Sequence, residues 1–350
     1  MRATLHSSQW LSRDVREVIL SPHESLSYRP GQYVSIARTD REPRCYSMAR
    51  APSGDNRIAL HVRRWPGGSF SDVVMNESRT GDEFDITGPL GTFAFPDGVG
   101  PVVMLATGTG VAPFLAMLES ALPANASRPI TLYWGGRGNE DLYAQDAIGD
   151  WMARFQRFRF VPVLSGRGDG YVQDVAAQEM ADPANTHVLA CGNTRMTDDA
   201  FARLVAEAAS PVASFASDAF TPATYESGAS AAAALGPDSS AQSVVRMHCG
   251  GQCLQARAGE TVLRTLKAAG LPVMSVCGGK ASCGTCLVEL DAAWSERVPP
   301  CSRTERSLLS CLPDAGPLSR LSCQIRVTQE LDGLALRLPS NNPTIKELSV

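Results

Sequence analysis

Val102-Val-Met-Leu105-Ala-Thr107-Gly108-Thr109-Gly110-Val-Ala112-Pro113 changes character within a dozen residues: an apolar run meets a glycine-rich turn, and an apolar helical stretch, Phe114–Leu122, follows. A strand that ends in a Gly-x-Gly turn and restarts as a helix leaves free N–H groups and a positive dipole end facing one point. Alone, such a turn also suits plain tight packing, so its surroundings decide. Strand patterns recur at Ile130–Trp134, Phe158–Leu164 and His187–Ala190 with helical patterns between them, which predicts a mostly parallel α/β sheet. Towards the N-terminus the texture differs. Short β-type segments (Val15–Leu20, Tyr33–Ile36, Ile58–Val62, Glu83–Ile86) alternate with turn clusters such as Arg29-Pro30-Gly31 and Ala51-Pro-Ser-Gly-Asp-Asn56, which predicts an antiparallel β-barrel.

Beyond the α/β region, residues 221–243 read TPATYESGASAAAALGPDSSAQS, an Ala/Ser/Gly/Pro-rich stretch with the composition of a flexible tether. Val244–Met247 and Cys253–Ala256 then suggest a hairpin around Gly250-Gly251, followed by a helix over Thr261–Ala269 and a cysteine-rich loop. The chain of 350 residues is thus read as domains at 1–98, 99–221 and 244–338, with a linker at 222–243 and a tail at 339–350. No window holds the roughly 18 uncharged apolar residues of a membrane span. The first residues lack a long apolar signal core, so a cytoplasmic location is expected. Ten cysteines in that setting point to metal or redox chemistry rather than a disulfide framework. Up to Ser243 there are 20 Arg against 27 Asp and Glu, a balance of −7; Val244–Leu338 carries 11 Lys and Arg against 8 acids, a balance of +3. Neither part shows the basic stripe of a nucleic-acid binder.

The densest local signal is Cys277-Gly-Gly-Lys-Ala-Ser-Cys283-Gly-Thr-Cys286, with Arg320-Leu-Ser-Cys323-Gln farther on. Iron–sulfur clusters need four thiolates, and small residues let a loop wrap one with its N–H groups facing the sulfurs. A Cys₄ zinc site is the alternative, but it usually shows two short-spaced pairs, and this set contains one. Cys311 is the rival fourth ligand; it follows a helical stretch, Arg303–Leu309, and with Cys301 reads as an ordinary thiol. Cys249 and Cys253 flank a tight turn with no second pair beside them. The passage resembles a [2Fe–2S] ferredoxin. Its spacings of five, two and 36 residues are those of the adrenodoxin and putidaredoxin branch, not the plant type with four first. The resemblance implies a C-terminal α+β domain of the β-grasp kind, with Cys277, Cys283, Cys286 and Cys323 as the cluster ligands.

Two segments of the barrel region also carry chemistry. Arg44-Cys45-Tyr46-Ser47 follows a strand, and His61-Val62-Arg63-Arg-Trp-Pro-Gly67-Gly68-Ser69-Phe70-Ser71 comes about twenty residues later. Arginine can hold a phosphate bidentately, an aromatic ring can stack on a flat cofactor, and paired glycines let the backbone approach a pyrophosphate. These segments resemble the Arg-x-Tyr-Ser and Gly-x-x-Ser signatures of the ferredoxin–NADP reductase superfamily. The resemblance implies a flavin (FAD, with FMN as the alternative) held by Arg44, Tyr46, Ser47, His61, Val62, Gly67, Gly68 and Ser71. In it, Tyr46 stacks on the ring and Ser47 bonds near N5.

The opening motif acquires companions of the same kind. Tyr133-Trp-Gly-Gly-Arg137 with Asp141-Leu-Tyr143, and Leu189-Ala-Cys191-Gly192-Asn193 with Met196, resemble the nucleotide domain of NAD(P)H-dependent flavin reductases. The proline usual after the Cys-Gly pair is replaced here by Thr194-Arg195. Thr107, Gly108, Thr109, Gly110, Pro113, Arg137, Cys191 and Gly192 are thereby implied to meet a nicotinamide nucleotide, NADH being favoured over NADPH. Phe220 is implied to cover the flavin. Ser47, Tyr46 and Cys191 are the candidate catalytic residues.

Together the three parts have the domain order of phthalate dioxygenase reductase. The resemblance implies an electron-transfer reductase: hydride from NAD(P)H to a flavin, then single electrons through the cluster to a partner protein. Its implied partner is the terminal oxygenase of a mono- or dioxygenase system. The alternatives are a reductase for another redox protein, such as a hybrid-cluster protein or a desaturase, and a redox-sensing iron–sulfur module.

Overall fold

The computed structural model describes residues 1–37, 43–65, 71, 76–220, 244–271, 273, 279, 281, 284–302, 305–306, 308–309, 312 and 315–339. Its contacts divide the chain into two units, Met1–Thr221 and Pro222–Val350.

The first unit opens with a six-stranded antiparallel sheet in the order β4-β3-β6-β1-β2-β5. The strands are β1 (Arg2–Trp10), β2 (Val15–Pro22), β3 (Tyr33–Ala37), β4 (Arg44–Ser47), β5 (Ile58–Arg63) and β6 (Glu83–Leu90). Alternation fixes its inner face: Ala3, Leu5, Val18, Leu20, Val34, Ile36, Phe84 and Ile86 are buried together while their neighbours along each strand point away. The two edge strands meet just past Ser47, where Met48 bridges Leu60 and the Ala49 N–H donates to the Ala59 carbonyl (2.8 Å). The sheet thereby rolls up as the barrel reading expects.

A five-stranded parallel sheet follows, ordered β11-β10-β7-β8-β9. It contains β7 (Val102–Thr107), β8 (Ile130–Gly136), β9 (Phe158–Leu164), β10 (His187–Asn193) and β11 (Ser214–Phe220). The helices are α1 (Ala112–Ala124), α2 (Gln145–Arg154), α3 (Val172–Glu179) and α4 (Thr194–Phe201). Pro113 lies in the first turn of α1, where a missing N–H costs nothing. Buried between α1 and the sheet, Phe114, Met117 and Leu118 pack with Met104, Leu132 and Trp134. Each such side chain contributes roughly 1.5–3 kcal/mol by leaving water. Gly31, at φ +100°, lies where the barrel meets this layer. A Cβ there would collide with the Phe93 carbonyl and the Met117 side chain, so only glycine allows the approach.

The second unit holds a mixed sheet, β13-β12-β16-β14-β15. Its strands are β12 (Val244–Cys249), β13 (Gln252–Arg257), β14 (Leu287–Leu290), β15 (Ser319–Leu321) and β16 (Leu334–Arg337). The helix α5 (Val262–Ala268) is capped by the Thr261 hydroxyl, which accepts from the Arg264 N–H (3.3 Å). Strands β12 and β16 run parallel in the centre, and Val245, Met247, Leu266, Val288, Leu321 and Leu334 form the core beneath α5. The expected hairpin is present, and its register sets Cys249 opposite Gln252 and His248 opposite Cys253. Cys249 is consequently buried and Cys253 exposed, on opposite faces of the ribbon.

Candidate functional site

In the parallel sheet, β8 lies on one side of β7 and β10 on the other, so the carboxyl ends of β7 and β10 flank the point where strand order reverses. Open α/β sheets bind their ligands at that crevice. Thr107, Gly108, Thr109 and Gly110 leave β7 there, and Cys191, Gly192 and Asn193 leave β10 beside them. The two turns are in contact. A Cβ on Gly110 would strike the Cys191 carbonyl, and one on Gly192 (φ +152°) would strike the Thr107 hydroxyl. The Asn193 backbone N–H and side-chain amide both donate to Thr107 Oγ1, at 3.3 and 3.2 Å. Asn193 Oδ1 accepts from the Met196 N–H (2.9 Å) and so caps α4, which begins directly at Thr194.

Cys191 itself is fully buried among the residues under α1, and burial first, then the Asp218 carboxylate, push its thiol well above the ordinary range. It stays protonated at neutral pH, and its carbonyl is the part that meets the Gly110 turn. Phe220 pairs with Asn193 across β10 and β11 and packs half-buried on the same core. Arg137 is exposed on the turn after β8. There the Asp141 carboxylate accepts the Arg137 N–H (2.8 Å), and Glu140 folds over Gly138.

On the barrel, β4 carries Arg44, Tyr46 and Ser47 opposite Ile36, Val34 and Tyr33. Tyr46 leans on the barrel core, and burial raises its phenol pKa. Ser47 is buried, and its Oγ has no hydrogen-bond partner among the described residues. A buried hydroxyl left without a partner costs about 1–3 kcal/mol, so a ligand acceptor at this position is the natural complement. Val62 is buried in the barrel, whereas the Ser71 hydroxyl turns back on Trp65, accepting its N–H at 3.0 Å. Gly67 and Gly68 lie outside the described residues.

The barrel and nucleotide elements are joined by a chain of contacts. His61 Nδ1 and the Tyr143 hydroxyl share a hydrogen bond of 3.1 Å, with the rings edge-on at 5.3 Å. Tyr143 stands edge-on to Trp134 (5.2 Å, 87°), and the Trp134 Nε1–H donates to the Gly108 carbonyl (3.0 Å). Burial, with the nearby Arg50 charge second, pushes the His61 pKa down to about 3, so the imidazole is neutral. Arg63, clamped by Asp14 (2.9 and 2.8 Å), rests its guanidinium against Gly108.

In the second unit, Cys286 immediately precedes β14 and Cys323 lies two residues past β15; both are buried. Antiparallel pairing of Leu287 with Leu321 aligns the segments, and Ser322 donates both its N–H (3.0 Å) and its hydroxyl (2.8 Å) to the Cys286 carbonyl. Cys277 and Cys283 lie outside the described residues. Gly279, between them in sequence, is described and sits against Cys323: a Cβ on it would be 3.7 Å from that of the cysteine. The Gln324 amide donates to Cys323 Sγ (3.3 Å) and to the Gly279 carbonyl (3.0 Å). Behind them, Arg320 and Glu305 form a buried bidentate pair (2.8 and 3.0 Å). Two buried thiols, one of them accepting from an amide, suit a metal–sulfur group.

Residues 2–95 match the family described as oxidoreductase FAD-binding domain, 104–201 the oxidoreductase NAD-binding domain, and 247–328 the 2Fe-2S iron-sulfur cluster binding domain. An Amycolatopsis cytochrome P450 reductase structure is 30% identical with a TM-score of 0.57, covering 63% of this chain and 70% of that one. The phthalate dioxygenase reductase structure covers 97% of this chain and 98% of its own, with a TM-score of 0.60 at 18% identity, and so shares the fold. The chain belongs to the ferredoxin–NADP reductase superfamily. Its three domains stand in the phthalate dioxygenase reductase order. A CDP-6-deoxy-L-threo-D-glycero-4-hexulose-3-dehydrase reductase from Yersinia pestis is 32% identical over 200 residues, 55% of this chain and 60% of that protein. A propane 2-monooxygenase reductase component from Mycolicibacterium smegmatis is 34% identical over 216 residues, covering 57% and 62%. The chain thus spans less than two thirds of the length of these curated relatives.

The cofactor set of this superfamily member is FAD, a nicotinamide nucleotide and a [2Fe–2S] cluster, as its three domain families describe. The unpartnered Ser47 hydroxyl, the glycine cradle at the switch point and the buried Cys286 and Cys323 each fit their group. Sequence reasoning passed over Asn193, Arg63, Ser322 and Gln324. Asn193 was legible as Asn before a helical pattern with no proline, whereas the other three act through partners distant in sequence.

Proposed function

We propose that this chain takes a hydride from NADH onto bound FAD and delivers single electrons, through its [2Fe–2S] cluster, to the terminal oxygenase of a mono- or dioxygenase system. The observation that carries this reading is the contact chain His61–Tyr143–Trp134–Gly108, which links the strand beside Ser47's sheet edge to the nucleotide turn within one unit. When bound, the flavin supplies the two-electron to one-electron conversion and the cluster carries electrons singly.

The protein's own work is then positional. Arg44 holds a phosphate and Tyr46 offers its ring face. The Ser47 hydroxyl donates at the flavin edge, and neutral His61 presents no charge there. The N–H groups of Gly108–Gly110 face the nucleotide pyrophosphate, while Cys191 and Gly192 wall the nicotinamide side. Glycine at 110 and 192 lets the two turns close on each other, since a Cβ on either would strike the facing turn. Cys277, Cys283, Cys286 and Cys323 are the thiolate set. The turn after β8 sets one exposed Arg137 beside Glu140 and Asp141, a charge balance that disfavours a 2′-phosphate and supports NADH. The cytoplasm is our assignment, supported by thiols that a reducing compartment keeps free; no described helix is long and apolar enough to cross a membrane.

Similarity to the Yersinia dehydrase reductase favours one second reading, delivery to a redox partner that is not an oxygenase. Anaerobic mixing with NADH or NADPH tests the core proposal. Bleaching near 450 nm together with an S = 1/2 EPR signal is expected, faster with NADH. Flavin reduction without that signal would refute the cluster assignment. Absence of any flavin would refute the Arg44–Ser47 reading and favour a sensing module. Reconstitution with candidate partners separates the oxygenase from other acceptors.

A further inference from the structure

Gln324 follows Cys323 directly and is half-buried. Its Nε2 has two partners: Cys323 Sγ at 3.3 Å and the Gly279 carbonyl at 3.0 Å. Both are acceptors, so the amide nitrogen, with its two hydrogens, must face them, and the orientation of the group is fixed by its surroundings. One N–H meets the sulfur while the other pins the donor to Gly279, which lies between Cys277 and Cys283 in sequence. Side-chain rotation away from the sulfur would therefore break two bonds at once. The Cys323 backbone is held independently, through Leu287–Leu321 pairing and the two Ser322 bonds to Cys286, so Gln324 is not needed to place the ligand.

We propose that Gln324 is a positioning residue that raises the reduction potential of the cluster through a clamped N–H···S bond to Cys323. Gaining an electron increases negative charge on the ligating sulfurs, and a hydrogen bond to sulfur strengthens as that charge grows. The reduced form gains more than the oxidised form, and the potential rises. One electron enters from the reduced flavin and no proton is required. The inference rests on Cys323 being a cluster ligand.

The test is an anaerobic redox titration of the full-length protein and of Gln324→Leu, following flavin absorbance and cluster EPR separately. Removing the donor is expected to lower the cluster's affinity for its electron about tenfold, which is 59 mV for a one-electron couple, with the flavin midpoint unchanged. A cluster that assembles in Gln324→Leu with less than a twofold change overturns the inference. Wild-type protein with no S = 1/2 signal overturns instead the ligand reading beneath it. Should Gln324→Leu fail to assemble, the donor-free isostere Gln324→Met is titrated, and wild-type protein carrying side-chain ¹⁵N-glutamine is examined by pulsed EPR. A single coupled amide ¹⁵N supports the bond, and its absence sinks the proposal.

Discussion

His61 on β5 and Tyr143 after β8, 82 positions apart, share a hydrogen bond of 3.1 Å that ties the flavin barrel to the nucleotide sheet. His61 is buried and Tyr143 partly buried, and burial holds the histidine neutral. Tyr143→Phe removes the bond and keeps the ring packing against Trp134. We expect a loss of about 1 kcal/mol in urea unfolding of the first unit. Slower flavin reduction by NADH should accompany it, because the Gly108 turn loses part of its anchor.

The same histidine predicts an acid limit. Its folded pKa of about 3 lies below the ordinary histidine value of 6.5, so the unfolded chain binds the proton more readily. Stability is then complete above about pH 6.5 and falls as pH drops towards 3, by up to about 1.4 kcal/mol per unit. Denaturation curves at pH 7 and 5.5 should show the drop, and His61→Gln should flatten it. An equal slope in both proteins would reject the assignment.

Ser47→Ala removes a buried hydroxyl that has no partner among the described residues. The flavin-free protein should be as stable as the parent or slightly more so, since an unmet polar group is gone. Reduction of the flavin by NADH should slow about tenfold or more, measured by stopped flow.

Gly110→Ala sets a methyl group against the Cys191 carbonyl. The turn must shift, at a cost of about 1–3 kcal/mol, and nucleotide titrations should show weakened binding. Cluster EPR after dithionite reduction should be unchanged.

Within the second unit, Glu305→Gln leaves the Arg320 guanidinium buried without its counter-charge. Breaking such a pair typically costs about 3–5 kcal/mol. Cluster absorbance should be lost at lower urea than in the parent, while NADH-dependent ferricyanide reduction by the flavin survives.

Much of this fold was legible because apolar runs and glycine punctuation coincide with its elements. The run Val102–Leu105 with its glycine turn is a strand and turn at the switch point, and the pattern at Phe158–Leu164 matches β9 residue for residue. Strand ends were read short. β6 continues to Leu90 and β10 to Asn193, carried by ladder hydrogen bonds after the hydrophobic signal has stopped. β1 escaped notice because only Ala3 and Leu5 are fully inward among polar neighbours, and β11 because a small-residue edge strand has little apolar contrast. The site divides in the same way. Arg44, Ser47, Gly110 and Cys323 belong to contiguous motifs, and the resemblance of those motifs to a known family singles them out. Tyr143 as a partner of His61, Arg63 against Gly108, and Gln324 on Gly279 depend on closures across tens of residues, which no local spacing records.

The doubled bond from Ser322 to the Cys286 carbonyl spans 36 positions. Gathering two thiols across such an excursion has a loop-closure entropy of roughly 3 kcal/mol, met by the chain itself through β14 and β15. If Cys286 and Cys323 are two of the four cluster ligands, as proposed above, iron and sulfide would encounter half of their binding site already assembled. With Cys277 and Cys283 as the other two thiolates, a bound inorganic core would act as a knot between distant stretches of sequence, so the second unit should unfold far more slowly loaded than empty.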